Sequence, residues 1–446
     1  MAVYGGLTSI VAFLVNAALV GYLALFPAIF AVVVARLTQV GGALLLMAAP
    51  LVWVATELGR TYLFTGFPWV LLGYSQVETI PIAQLASVAG VYSISALIVS
   101  VSAGLALLAW PDSSMRRPWM PVACALASAM AITVWGGSRV SRGALVAEGD
   151  ALRVGLIQGN VDQAEKWDRH RAGQILERYL QMSREAIDQD AQLVVWPESA
   201  MPTIFGEDQA ASGLVRALAV RSGVPFLIGS DQVERGSMPK YYNSALLVRP
   251  DGSTGGVYHK MHLVPFGEYV PARRVFFFAS RLVEAVSDFS AGQSATLLPV
   301  GNHYVSVGIC YEIVYPDLVR QFVESGSELL TTITNDAWFG ATSAPYQHFA
   351  QASMRAVENG RYLVRAANTG ISGIVDPYGR VTAASDLFDP ATIVGDVRLL
   401  RSSTVYSRTG DLFAYICGVA TLALLVARRP RRIRSTELTL GPGPNA

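Results

Sequence analysis

The sequence predicts a membrane-embedded α-helical bundle joined to a separate α/β domain. Three observations lead there. The chain of 446 residues is 52% hydrophobic and only 15% charged, with mean hydropathy +0.39, which is too apolar for an ordinary soluble domain. The apolar residues are unevenly spread: residues 1–140 are nearly all apolar, while 150–400 have globular composition. Within 150–400, short β-rich runs alternate with amphipathic helical patterns, the mark of α/β layering.

A bilayer-spanning helix needs ~20 mostly apolar residues. The uncharged stretches 9–35, 37–56, 79–111 and 118–138 each hold one span, and 412–427 holds a fifth, with Arg428 and Arg429 placed to snorkel at its end. Residues 61–77 are also uncharged, but Gly66, Pro68 and Gly73 interrupt Tyr62, Phe64, Phe67, Trp69 and Tyr74. Breakers among aromatics suit an interfacial or re-entrant segment, with a sixth span as the alternative. No basic region precedes the first apolar run, so no cleavable signal peptide is read. The arginines of 428–434, with Arg116 and Arg117, mark the cytoplasmic side. This places 139–411 on the outer face, and the N-terminus with it. Further spans are expected ahead of residue 1. The expected organisation is a bundle over 1–140, a globular domain over 150–400, a helix over 410–428 and a cytoplasmic basic tail over 429–446.

In the globular region, strands are expected at 153–158, 192–196, 225–229, 244–249, 257–262, 304–309, 329–334, 363–367 and 373–375. Helices are expected at 168–189, 208–222, 316–325 and 346–359. The first of these places Ile175, Leu176, Tyr179, Leu180 and Ile187 on one face. Net charge is +1, so no bulk field argues for nucleic acid. Three cysteines make no disulfide framework, and Cys124 and Cys417 lie in apolar runs as packing residues. The spacing of His259, His262, His303 and His348 fits no zinc signature. No metal site and no cofactor is expected.

Three residues carry the chemistry. Glu198 follows a strand in Trp196-Pro197-Glu198-Ser199, where a carboxylate can face a cleft as a general base. Lys260 ends another strand ahead of a loop pinned by Pro265, Gly267 and Pro271, which carries Glu268. It can lower a thiol pKa and stabilise an oxyanion, and Glu268 can hold it charged or share base work with Glu198. Cys310 closes an apolar strand in Gly-Ile-Cys-Tyr-Glu, and a thiolate beside a lysine is a strong nucleophile. Taken singly, each has an ordinary reading: a solvated carboxylate, a surface lysine, a buried structural thiol.

Taken together, in this order, they resemble the Glu-Lys-Cys triad of the nitrilase superfamily over residues 153–400, and within it the apolipoprotein N-acyltransferase family. The stretches that carry the resemblance are Thr65-Gly66-Phe67-Pro68-Trp69 with Gly73-Tyr74-Ser75-Gln76, Gln158-Gly159-Asn160 with Lys166-Trp167-Asp168, and Trp196 to Ala200. They continue through 262–271, Cys310-Tyr311-Glu312, 335–340 and Gln347-His348. The resemblance implies an αββα sandwich on a membrane-helix bundle. It assigns Glu198 as base, Lys260 as oxyanion and charge stabiliser, and Cys310 as the acylated nucleophile. Glu268, Glu312 and Tyr311 are supporting residues, and Trp167, Trp338 and Phe339 line or gate a lipid cleft. It also implies a ping-pong acyl transfer through a Cys310 thioester. The donor is a membrane phospholipid, phosphatidylethanolamine, and the acceptor a diacylglyceryl-lipoprotein. The site is expected on the periplasmic face of the inner membrane, in a monomeric multi-pass protein. A membrane-tethered nitrilase-type amidohydrolase, with water as the second nucleophile, is the alternative. Separately, the aromatic run Phe276-Phe277-Phe278 is read as a membrane-touching lid over 274–279, with a buried helix as the other reading.

Overall fold

The structure, a computed structural model, describes residues 9–109, 117–163, 165–166, 168–270 and 288–427. Four helical stretches among them are long and apolar enough to cross a membrane, at Ser9–Gln39, Ala43–Tyr62, Ala86–Ala109 and Met120–Ala147; they are built on α1 (Ser9–Gly41), α2 (Ala49–Tyr62), α3 (Ala86–Ala109) and α4 (Trp119–Arg142). The second span lies later than its charge-free stretch. Gly42 (φ 78°) separates it from α1, a 3-10 turn (Ala43–Ala48) leads in, and Glu57 and Arg60 fall inside α2. Glu57 is tolerated there because its Oε1 accepts the Leu72 amide at 2.7 Å. Inside α3 the helix breaks at Ala89–Gly90. Gly90 has φ 69°, and a Cβ there would sit 2.7 Å from the Tyr406 ring, so the site requires glycine twice over. Cys124, expected to pack, is exposed on α4, whereas Cys417 is buried.

The α/β region runs β1 (Asp150–Gln158), α5 (Ala172–Ile187), β2 (Leu193–Val195), α6 (Gln209–Ser222), β3 (Phe226–Glu234), β4 (Lys240–Val248) and β5 (Thr254–His259). It continues β6 (Leu298–Val300), β7 (His303–Ile309), α7 (Pro316–Glu324), β8 (Leu329–Thr334), α8 (Ala344–Asn359), β9 (Leu363–Ala367), β10 (Gly373–Val375), β11 (Val381–Ala384) and β12 (Ala391–Leu399). A last apolar helix, α9 (Leu412–Ala427), follows. Two six-stranded sheets form, in the orders β12-β1-β2-β3-β4-β5 and β11-β10-β9-β8-β7-β6.

Side-chain alternation builds the layers. Val154, Leu156, Leu193, Val195, Leu227 and Leu247 point to the other sheet and meet Val305, Val307, Leu329 and Ile333. The intervening Ile157, Val194, Phe226, Ile228 and Leu246 face outward to Leu176, Leu180 and Val215 of α5 and α6. Val319, Ala352 and Ala356 of α7 and α8 cover Leu330 and Leu363 of the second sheet. The period-2 pattern thus produces an αββα sandwich with two outer apolar layers and one inner one. Strands β6, β11 and β12 were not expected. Each lies at a sheet edge, and Pro299, the exposed face of β11 and Gly395-Asp396 erase the alternation that marks a half-buried strand.

The sandwich docks on the bundle through α8. Met354 and Val357 share a buried cluster with Val54, Leu71, Tyr92 and Cys417. The Arg355 guanidinium donates to the Tyr74 hydroxyl, and Glu358 Oε1 accepts the Val91 amide at 2.9 Å. The segment after α2 forms turns and a 3-10 stretch (Leu72–Gln76) rather than a long helix. Its Phe67 and Trp69 pack beside Tyr311 and Cys310, and the Tyr315 hydroxyl donates to Gly66 O at 3.1 Å. The proposed lid at 274–279 and the basic tail at 429–446 lie outside the described residues, as does Trp167.

Candidate active site

The site forms at the carboxyl ends of β2, β7 and β8 and just past β5. Trp196-Pro197 carries the chain from β2 to Glu198, and Ser199 adopts φ 45°. This turn lies so close on β3 that a Cβ at Gly229 would be 2.1 Å from Pro197 O and 2.8 Å from Glu198 Cα. Lys260 follows β5 directly. Ser244 of β4 is registered with His259, so the next step pairs Lys260 with Asn243: the Lys260 amide donates to Asn243 O at 2.9 Å. Asn243 thereby shares the site with Lys260, although nothing in its sequence neighbourhood marked it.

Four buried side chains form one network. Lys260 Nζ lies 2.9 Å from Glu268 Oε1 and 3.5 Å from Glu198 Oε1. Asn243 Nδ2 donates to the same two oxygens, at 2.7 Å to Glu198 and 2.9 Å to Glu268. Glu198 Oε2 accepts the Asn335 amide at 2.8 Å, and Glu268 Oε2 the Val264 amide at 2.7 Å. Burial works against the Lys260 ammonium, but Glu268, then Glu198 and Cys310, outweigh it and hold its pKa well above the usual lysine range. A second buried lysine, Lys166, donates to the Glu198 carbonyl at 3.1 Å.

Cys310 opens the 3-10 turn Cys310–Val314 and takes φ 53°, a left-handed conformation that side chains seldom adopt. The turn is held by Glu312, which is fully buried. Its Oε2 accepts the Ile309 amide at 2.7 Å, and its Oε1 accepts Met261 N at 2.7 Å, His262 N at 3.0 Å and the Tyr258 hydroxyl at 2.7 Å. Glu312 therefore ties the nucleophile's turn to the residues just after Lys260; both of its oxygens are spent on this positioning. Burial pushes its carboxyl up to about 7 against the pull of those donors.

The thiol itself is shifted upward. Burial first, then the Glu198 charge, pushes Cys310 to about 12, and Lys260 only partly opposes them. Lys260 does lower the thiol, as expected of it, but the net shift is upward. The two carboxylates beside the ammonium already neutralise it, so the resting sulfur keeps its proton and a base must remove it during attack.

Behind Cys310 sits a further buried cluster that the sequence reading did not assign to the site. The Cys310 carbonyl accepts from His348 Nε2 at 3.1 Å. His348 Nδ1 lies 3.0 Å from both Asp336 Oδ1 and the Arg365 guanidinium, and Arg365 donates to Asp336 Oδ2 at 2.7 Å. Burial and then the Arg365 charge hold His348 below its ordinary pKa, against the pull of the Asp336 carboxylate. In front, Tyr311 stacks on Trp69 with centroids 6.2 Å apart and an interplanar angle of 15°. Phe339 approaches Trp69 at 5.5 Å, and Trp69 Nε1 donates to Gln347 Oε1 at 2.7 Å. Trp338 is 44% exposed at the rim. Among the described residues no group of His, Cys, Asp or Glu is arranged to hold a metal ion.

Comparison with known proteins bears on this arrangement. A family described as carbon-nitrogen hydrolase matches residues 153–405, and the apolipoprotein N-acyltransferase N-terminal domain matches residues 1–104. An apolipoprotein N-acyltransferase of Geobacter metallireducens is 41% identical over 434 residues, spanning 96% of this chain and 82% of the relative. One from Methylococcus capsulatus is 35% identical, spanning 97% and 84%. Among solved structures, the amidase from Nesterenkonia sp. AN1 is 21% identical, covers 59% of this chain and 98% of its own, and aligns with TM-score 0.43.

Proposed function

Because the chain belongs to the apolipoprotein N-acyltransferase family, with its carbon-nitrogen hydrolase domain, we propose that Cys310 carries an acyl group between two membrane-borne substrates. The protein is a membrane acyltransferase acting on lipoproteins. In the first half-reaction, the Cys310 sulfur attacks the ester carbonyl of a phospholipid acyl chain while Glu198 takes the thiol proton. Lys260 and a backbone amide next to Cys310 stabilise the tetrahedral oxyanion. The lysophospholipid leaves with a proton returned by Glu198, and a thioester remains. In the second half-reaction, the α-amine of a lipidated N-terminal cysteine attacks the thioester. Glu198 accepts the amine proton and returns it to the departing sulfur, and an amide forms.

The observation that carries this reading is the single buried network in which Glu198, Lys260 and Glu268 meet, with the Cys310 sulfur in their field. The Phe67, Trp69 and Tyr311 wall beside Cys310 suits an acyl chain and keeps water from a thioester. Phosphatidylethanolamine is the proposed donor. The proposed setting is the inner membrane, with the sandwich on the periplasmic face, which the arginine bias of the sequence supports, and the working unit is proposed to be the monomer.

The test is mass spectrometry of the purified protein after exposure to phospholipid vesicles. Cys310 should gain one acyl mass, and a lipopeptide amine should discharge it as an amide. Cys310→Ala should show no acyl adduct while keeping its melting temperature. Free fatty acid as the only product would replace this reading with a hydrolase.

A further inference from the structure

Away from the thiol, the last turn of α4 holds a site that acyl transfer does not use. A pocket of about 330 Å³ is lined by Trp135, Arg139, Arg142, Ala144, Leu145 and Tyr378. That volume is at the lower end of the roughly 300–1,000 Å³ usual for small-molecule sites. Tyr378 belongs to the turn between β10 and β11, and its hydroxyl accepts the Leu145 amide at 3.1 Å. That turn leaves β10 beside the start of β9, because Val375 is registered with Leu363. The pocket is therefore at the opposite end of the strands from Cys310.

The charge in the pocket is uncompensated. Among the described residues neither Arg139 nor Arg142 is ion-paired with a carboxylate, and Arg139 Nε is buried with no hydrogen-bond partner. Asp376, the carboxylate on the same turn, is already taken: its oxygens accept Tyr378 N at 2.9 Å, Arg380 N at 2.9 Å and Arg380 Nε at 2.5 Å. A partly desolvated guanidinium without a counter-charge is costly, and the cost is removed by an anion with several acceptor oxygens. The Trp135 ring, 5.9 Å from the Arg139 guanidinium, is 41% exposed. Tryptophan over arginine at the end of a membrane span is the composition of a head-group layer. The span ends just before β1 begins at Asp150, so the pocket opens where lipid head groups meet the sandwich.

We propose that this pocket binds the phosphate of an anionic glycerophospholipid, held by Arg139 and Arg142 against Trp135, as an anchoring site separate from the reaction centre. The proposal rests on α4 being a membrane span, not on the role of Cys310. Native mass spectrometry of the full chain, delipidated stepwise after reconstitution in vesicles with and without acidic phospholipid, tests it. The wild type should retain one acidic lipid. Arg139→Gln with Arg142→Gln should retain it about tenfold less well, the loss of charge-assisted contacts, whereas the double lysine variant should keep most of it. Cys310→Ala should retain it fully, which separates this outcome from the catalytic reading. Equal retention by wild type and the double glutamine variant overturns the proposal. So does equal thermal stabilisation by inorganic phosphate and by acidic lipid, which would make the site one for the free anion. If the glutamine variant does not fold, the wild type decides alone: a preference for acidic over zwitterionic lipid supports the site, and no preference overturns it.

Discussion

At the residue scale, the site is governed by a charge count. Glu198 and Glu268 meet the Lys260 ammonium directly, with the Lys166 ammonium behind Glu198, and burial adds to the cost of a further anion at the thiol. Removing Glu198 should therefore have two opposite effects. In Glu198→Gln, Cys310 should ionise at lower pH, because the charge that raised its pKa is gone, yet turnover should vanish for want of a base. The pH dependence of iodoacetamide alkylation reads the first effect. The wild-type rate should still be climbing above pH 10, since the thiol titrates near 12 and reacts as thiolate, and the variant curve should shift to lower pH. Asn243 is the second test. Its amide spans Glu198 and Glu268, and Asn243→Ala should slow single-turnover acylation about 10- to 100-fold, the ~1–3 kcal/mol of a lost buried donor. Glu198, Lys260 and Cys310 were legible in the sequence because each stands at a strand end in a distinctive context. Asn243 was not, because its place depends on the β4–β5 register alone. Glu312 lies between the two: the motif marked it, but only the structure shows that its oxygens are engaged by Ile309, Met261, His262 and Tyr258.

At the element scale, α8 does two jobs. Its first turns hold the site, with His348 on the Cys310 carbonyl and Gln347 on Trp69. Its last turns hold the bundle through Arg355, Val357 and Glu358. The left-handed Cys310 needs the His348 donor to keep its carbonyl turned away. His348→Phe should lower the acylation rate about tenfold with little change in apparent KM, roughly the worth of one buried hydrogen bond. His348→Gln, which can still donate, should recover part of that loss; equal loss in both would mean that His348 acts only as packing. A helix was expected at 346–359, close to the observed α8. The sequence did not reveal that the whole second half is buried, because polar side chains such as Arg355, Glu358 and Asn359 ordinarily face water and are covered here by the bundle. The unexpected strands β6, β11 and β12 failed for the converse reason. Of these edge strands, β11 and β12 are largely half-buried or exposed along their length and β6 is short, so the pattern that finds β1 or β8 is absent from them.

At the scale of the whole molecule, the sandwich is not an independent body resting on a membrane anchor. Met354 and Val357 belong to the same apolar cluster as Val54, Leu71 and Tyr92, and Tyr62 and Tyr406 both donate to Asp411 at the entry to α9, at 2.8 and 2.9 Å. Expression of residues 150–400 alone should expose this surface. The fragment should bind a hydrophobic dye and form no acyl-cysteine, whereas the full chain in detergent should do the reverse. The loop that follows α2 gives this union a further consequence. Phe67 and Trp69 press on the same cluster as the nucleophile, and they follow α2, a span whose mismatch with the hydrocarbon thickness carries a modest cost. Bilayer thickness should therefore bear on the chemistry. In vesicles differing only in lipid tail length, turnover should peak at one thickness, and a small water-soluble thioester donor should reveal the same optimum, because what the slab adjusts is the chamber rather than the delivery of fat.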